Sequence, residues 1–163
     1  MSGEASLWVR LREAVKGKGH FCRLEYNPTV GIPDVDYCVF GVEGKIELKD
    51  RPKAPARAST AAFGDKGLRD EQVGWILTRI RHGGLVWVMA EVGPAIYLIH
   101  GSWAEAFNEM TVAELERAST WRLPVGPLKN PGAVSGLLGA LMTRDPGNLR
   151  LFPRGGAKAK RGI

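Results

Sequence analysis

The chain has 163 residues, the size of one domain, and 44% apolar with 25% charged side chains excludes a wholly disordered polypeptide. Its longest apolar runs, residues 85–90 and 95–99, fall far short of the roughly 20 residues a membrane helix needs. Two cysteines, Cys22 and Cys38, make no disulfide framework, and no N-terminal signal pattern is visible, so the cytoplasm is the expected location. The net charge of +6 is unevenly placed. Residues 143–163 carry six basic side chains against Asp145, and residues 51–69 carry Arg51, Lys53, Arg57, Lys66 and Arg69 against Asp65. A near-neutral body with two basic segments suits a polyanion, most simply nucleic acid. A solvated loop and a solubilising tail would give the same counts.

In chain order, Leu7, Trp8, Leu11 and Val15 stand at helical spacing within residues 4–16, and Gly17-Lys18-Gly19 closes that helix. Residues 20–26 read as a strand, 28–33 as a loop, and 35–40 with 45–49 as a hairpin. Residues 51–68 mix Pro, Ala, Gly and charge without a period and read as a mobile loop. Val73, Ile76, Leu77 and Ile80 mark a second helix, with Asp70 and Glu71 at its positive end and Gly83-Gly84 beyond its last turn. Residues 85–92 and 95–100 read as strands about Gly93-Pro94, residues 103–119 as a helix, and residues 133–142 as a short apolar helix. Pro124, Pro127 and Pro131 set that last piece apart from the core. The order α-β-β-β-α-β-β plus C-terminal helices is a mixed α/β fold. The expected division is a domain over 1–122 and a basic, partly flexible, Pro/Gly-containing extension over 123–163.

The chemistry concentrates in residues 31–49, GIPDVDYCVFGVEGKIELK. Glu47 and Lys49 share one face of a strand because side chains alternate. A tight turn at Phe40-Gly41 sets Asp34 directly opposite Glu47. A four-residue turn would slide the two about 13 Å apart and bring Asp36 opposite Lys49. Only the first register makes a compact site, with Asp36 one step further along. Two carboxylates on one point hold a hard cation such as Mg²⁺, which takes oxygen ligands and keeps several waters. Such an ion makes a nucleophile of its water and neutralises charge on a phosphate. A neighbouring lysine orients the water or stabilises the transition state. Leu48, its side chain turned to the core, offers its backbone carbonyl as a further ligand. An isolated E-x-K pair is common on solvated strands; without a cation, though, two convergent carboxylates only repel.

GIPD…EGKIELK, then LRDEQVGWILTRIRHGG and LVWVMAEV, resembles the PD-(D/E)xK nuclease superfamily over roughly residues 7–100. More narrowly, it is similar to the stand-alone VRR-NUC endonucleases of bacteriophages, whose fold is like that of archaeal Holliday-junction resolvases. The resemblance implies a restriction-endonuclease-like core, a mixed β-sheet flanked by helices. It also implies phosphodiester hydrolysis dependent on Mg²⁺ or Mn²⁺. Asp34 and Glu47 become metal ligands, Lys49 the catalytic lysine, and Gln72 a residue reaching the site from the second helix. Arg23, Glu25 and Asn27 partly match an Arg-x-Glu-Asn element, with Tyr26 in the Asn place. Glu25 is then a candidate extra acid or the partner of a strand-end salt bridge to Arg23. Relatives carry a further Glu on the first helix, for which Glu13 and Glu4 both qualify.

The expected activity is a structure-selective DNA endonuclease of Holliday-junction resolvase type, in recombination, in the host-cell cytoplasm if of phage origin. A homodimer follows if four-way junctions are the substrate, because two symmetric cuts need two sites. A less selective nicking or flap nuclease and a non-catalytic DNA-binding accessory protein are the alternatives. Arg23, Lys53, Arg57, Lys66 and Arg69 are the candidate DNA contacts, and the Lys158–Arg161 tail adds nonspecific affinity. His20, His82 and His100 are expected at the surface or in loops, Cys22 and Cys38 as buried thiols, and Trp75 and Trp87 as packing residues. No zinc pattern and no GxxxxGK[ST] loop occurs, so no nucleotide cofactor is implied.

Overall fold

The computed structural model describes residues 3–25 and 30–144. Helix α1 (Gly3–Val15) leads into strands β1 (His20–Arg23), β2 (Val35–Val39) and β3 (Val42–Arg51). Helix α2 (Asp70–Arg81) then crosses to β4 (Val86–Val92) and β5 (Ala95–His100). Helices α3 (Ala104–Phe107) and α4 (Val112–Ala118), strand β6 (Trp121–Leu123) and helix α5 (Pro131–Leu141) complete the order. The six strands lie side by side in sequence order. The β3–β4 pair is parallel and its neighbours antiparallel, because a crossover helix rather than a tight turn joins β3 to β4. This is the mixed sheet flanked by helices that the sequence predicts.

Strand alternation splits the interior into two layers. Ile46, Leu48, Trp87, Met89, Ile96 and Leu98 face α1 and α5, meeting Leu7, Leu11, Val134 and Leu137. Val86, Val88, Ala90, Tyr97 and Ile99 face the other way, meeting Ile76, Phe107 and Leu115 of α2–α4. Across the first layer Trp87 Nε1–H donates to Tyr37 Oη (3.0 Å), whose hydroxyl donates to the Leu141 carbonyl (2.7 Å). Burial raises the pKa of the Tyr37 hydroxyl well beyond its ordinary value.

Several expectations are corrected here. Helix α5 is not set apart: Val134, Leu137, Leu138 and Leu141 belong to the same core as α1, so the extension expected from residue 123 supplies a core helix. Pro131 sits in the first turn of α5, where its missing N–H costs nothing. Residues 51–68 are pinned rather than loose. Ala62, Phe63 and Leu68 are buried, Phe63 stacks on Phe107 (5.1 Å), and Arg51 Nη1 donates to the Ala62 carbonyl (2.9 Å). Asn108 latches the loop's far end, accepting from Leu68 N–H and donating to its carbonyl, both at 2.7 Å.

That Asn108 also marks the break in the helix expected over 103–119, which restarts where Thr111 Oγ1 accepts from Glu114 N–H (3.2 Å). His100 is buried, edge-on to Trp87, instead of lying at the surface. Cys22 is exposed and Cys38 half-buried. The basic tail beyond residue 144 and Asn27 lie outside the described residues. Among the described residues no helix is long and apolar enough to cross a membrane.

Candidate active site

The turn decides the geometry. Phe40 and Gly41 both have positive φ (47° and 80°), the backbone of a two-residue hairpin turn that matches strand twist. Val39 therefore pairs with Val42 and Val35 with Ile46. One step further this register sets Asp34 opposite Glu47. Asp34 Oδ2 accepts the Leu48 N–H at 2.9 Å, which fixes the carboxylate beside the strand. The N–H and C=O of one strand residue point to the same edge, so the Leu48 carbonyl faces the Asp34 side too.

Helix α2 closes the site from its face of the sheet. Gln72 is buried and held at both ends of its amide: Oε1 accepts from Arg69 N–H (3.0 Å) and Nε2 donates to Glu47 Oε1. The loop before Asp34 packs tightly on this helix start. A side chain at Gly31 would put its Cβ 2.3 Å from the Glu71 carbonyl oxygen, and its φ is +77°. Glycine in GIPD thus ties the Asp34 loop to the turn that presents Gln72.

Glu47 is 1% exposed. Its Oε1 lies 3.2 Å from Lys49 Nζ, while Oε2 is buried without a hydrogen-bond partner. Burial, then the Asp34 charge, pushes the Glu47 pKa up to about 8, against the pull of Lys49. From α1, Glu4 reaches within 4.0 Å of Lys49 Nζ. Its carboxyl is raised first by burial and also by Asp34, while Lys49, Arg23 and Arg69 draw it down.

The structure therefore gathers Asp34, Glu47, Lys49 and Gln72, and adds Glu4. Glu13 lies nine residues further along α1, about 13 Å by helical rise, beside Arg12 (3.8 Å) and not at the site. That corrects its candidacy as the helix acid in favour of Glu4. Glu25 is exposed at the end of a described segment. Asp36 is engaged by Lys45 (2.6 Å). Of the five candidate DNA contacts, Arg23 and Arg69 lie near enough to influence Glu4, and Lys53, Arg57 and Lys66 are exposed along the loop. Helical spacing alone cannot separate Glu4 from Glu13; only the docking of α1 does.

Among the described residues no group of three or more His, Cys, Asp or Glu is placed to hold a metal. The oxygen donors here are the Asp34 carboxylate, Glu47 Oε2 and the Leu48 carbonyl. That set fits Mg²⁺ or Mn²⁺ held by one or two carboxylates with much of its water retained. The orphaned Glu47 oxygen carries the fit, because a buried polar atom without a partner is costly and a cation would supply one.

No family model and no curated protein matches the chain. A similar solved structure is Archaeoglobus fulgidus Hjc, a Holliday junction resolvase from an archaeal hyperthermophile. The two share 17% identity over 61% of this chain and 74% of that one, with a TM-score of 0.42. A likeness at that level assigns no activity.

Proposed function

We propose that the protein is a Mg²⁺- or Mn²⁺-dependent DNA endonuclease that cuts branched DNA, with four-way junctions as its substrate. The observation that carries this reading is the meeting of Asp34, Glu47 and Lys49, in which one buried Glu47 oxygen has no protein partner. A bound divalent cation would supply an activated water and neutralise phosphate charge. Asp34, Glu47 and the Leu48 carbonyl would hold it. Lys49, anchored on Glu47, directs its ammonium toward a phosphate oxygen or the attacking water as negative charge builds at phosphorus. Gln72 keeps Glu47 in place. Arg23 and Arg69 flank the acids and set the backbone at the scissile bond, while Lys53, Arg57 and Lys66 grip phosphates further along. Symmetric cuts in a junction would need two such sites, hence a homodimer on that substrate.

The test is cleavage of matched four-way junction, flap, linear duplex and single-stranded DNA in Mg²⁺, Mn²⁺ or EDTA, by wild type and Lys49→Ala. Paired nicks in the junction, lost with EDTA and with the substitution, support the full reading. Equal cutting of every substrate keeps the nuclease and discards junction selectivity. A folded protein that binds DNA tightly and never cuts would be an accessory binding protein instead.

A further inference from the structure

Helix α1 delivers Glu4 to the candidate site, and a slip of one residue would turn that carboxylate by about 100° around the helix axis. Leu7, Trp8, Leu11 and Val15 dock the helix on the sheet. Apolar burial is non-directional, however, and holds a helix in register less strictly than a paired charge does.

A paired charge lies under α1. Glu91 follows Trp87 and Met89 on the face of β4 that meets this helix. It is 9% exposed, and Arg10 Nη2 donates to its Oε1 at 2.5 Å. Asp50 stands directly across the parallel β3–β4 pair from Glu91, near enough for its charge to act on Arg10. The same Asp50 side chain lies against Gly3. Gly3, Leu7 and Arg10 fall on one helix face at i, i+4 and i+7, and helical side chains lean toward the N-terminus. Two neighbouring acids on two strands therefore meet α1 at both ends of its first two turns, with Glu4 beside the first of those points.

Stability does not account for the pair. Apolar side chains of similar volume often match or better a buried ion pair, whose best-attested use is to fix register. Trp87 and Met89 show what this face of β4 carries where packing is all that is needed.

We propose that Arg10 and Glu91, with Asp50 beside them, lock the register of α1 and are positioning residues that act on the candidate site through Glu4. The consequence for catalysis rests on the nuclease reading. With the lock released, α1 keeps its apolar dock while Glu4 leaves its place 4.0 Å from Lys49 Nζ.

A water-soluble carbodiimide couples a carboxylate to an amine only where the two touch. The Glu4–Lys49 cross-link, read by peptide mass spectrometry, thus reports the register without metal or turnover. It is measured in wild type, Arg10→Gln, Arg12→Gln and the double variant Arg10→Met with Glu91→Leu. Arg12 is the control, since it pairs with Glu13 where both side chains are more than half exposed. The apolar double variant should melt no lower than wild type. The expected result is a cross-link yield at least about threefold lower in Arg10→Gln and in the double variant, and unchanged in Arg12→Gln. Cleavage of branched DNA should fall in the same two variants, and adding Glu4→Gln to either should lower it no further than Glu4→Gln alone. A full cross-link in the double variant, no cross-link in wild type, or losses of cleavage that add to that of Glu4→Gln would each overturn the proposal. If the cross-links behave as expected and wild type never cuts DNA, the nuclease reading fails while the register lock stands.

Discussion

The two faces of β3 have opposite contents. Ile46 and Leu48 are fully buried among apolar side chains from α1 and α5. Glu47 and Lys49, the alternate residues, are almost as buried, yet they meet Asp34, Gln72 and Glu4. One strand thus anchors the core with one side and concentrates charge with the other. A buried carboxylate is expensive; a bland fold would place another valine there, as β4 does at Val88 directly alongside Glu47. The charged and the apolar groups are separated by a single residue of register, so on the proposed function substitutions on the two faces should fail in different ways.

The largest effect is expected on the charged face. Lys49→Ala should lower cleavage by roughly 10²–10³-fold, the scale of losing one donor aimed at transition-state charge, with melting temperature little reduced. Leu48→Ala should do the reverse in kind, costing about 2–5 kcal/mol of stability through transfer and cavity, read by urea unfolding.

Glu47 gives a pH signature that sharpens the contrast. Its folded pKa stands near 8 against an ordinary 4.5, so between those values the folded state holds a proton that the unfolded chain has released. The stability this contributes is full below pH 4.5 and lost as pH rises to about 8. Metal-free wild type should therefore lose on the order of a few kcal/mol across that window, and Glu47→Gln should flatten the profile. A wild-type melting curve that does not fall from pH 5 to pH 8 would contradict the burial argument.

The smallest effect lies outside both faces. Lys53→Ala, Arg57→Ala and Lys66→Ala should each reduce the salt slope of duplex binding by about 0.9, with no change in the unfolding midpoint. A slope that stays the same would remove that side chain from the DNA interface.

Most of this was legible in the sequence where a local rule governs. Residues 34–49 combine strand alternation with a Phe-Gly turn, which leaves one register that makes Asp34 meet Glu47, and α2 has both periodicity and end signals. The misreadings share a physical cause, which is that long-range packing overrode local pattern. Ala62, Phe63 and Leu68 anchor their loop at irregular spacing, held by Asn108 some forty residues away. Prolines bracket α5 without excluding it from the core. Glu4 and Glu13 look alike along α1, and only the docking of its first turn against β3 tells them apart. There Gly3 lies against the Asp50 side chain, which would have to shift to admit a Cβ.

The central claim is that the charged face of β3 exists to hold a divalent cation. Calorimetric titration of Mn²⁺ into wild type and Glu47→Gln at pH 7 tests it most directly. The account predicts a saturable site in wild type that disappears in the variant while the fold persists. Equal Mn²⁺ binding by both proteins, or none by wild type, would contradict it.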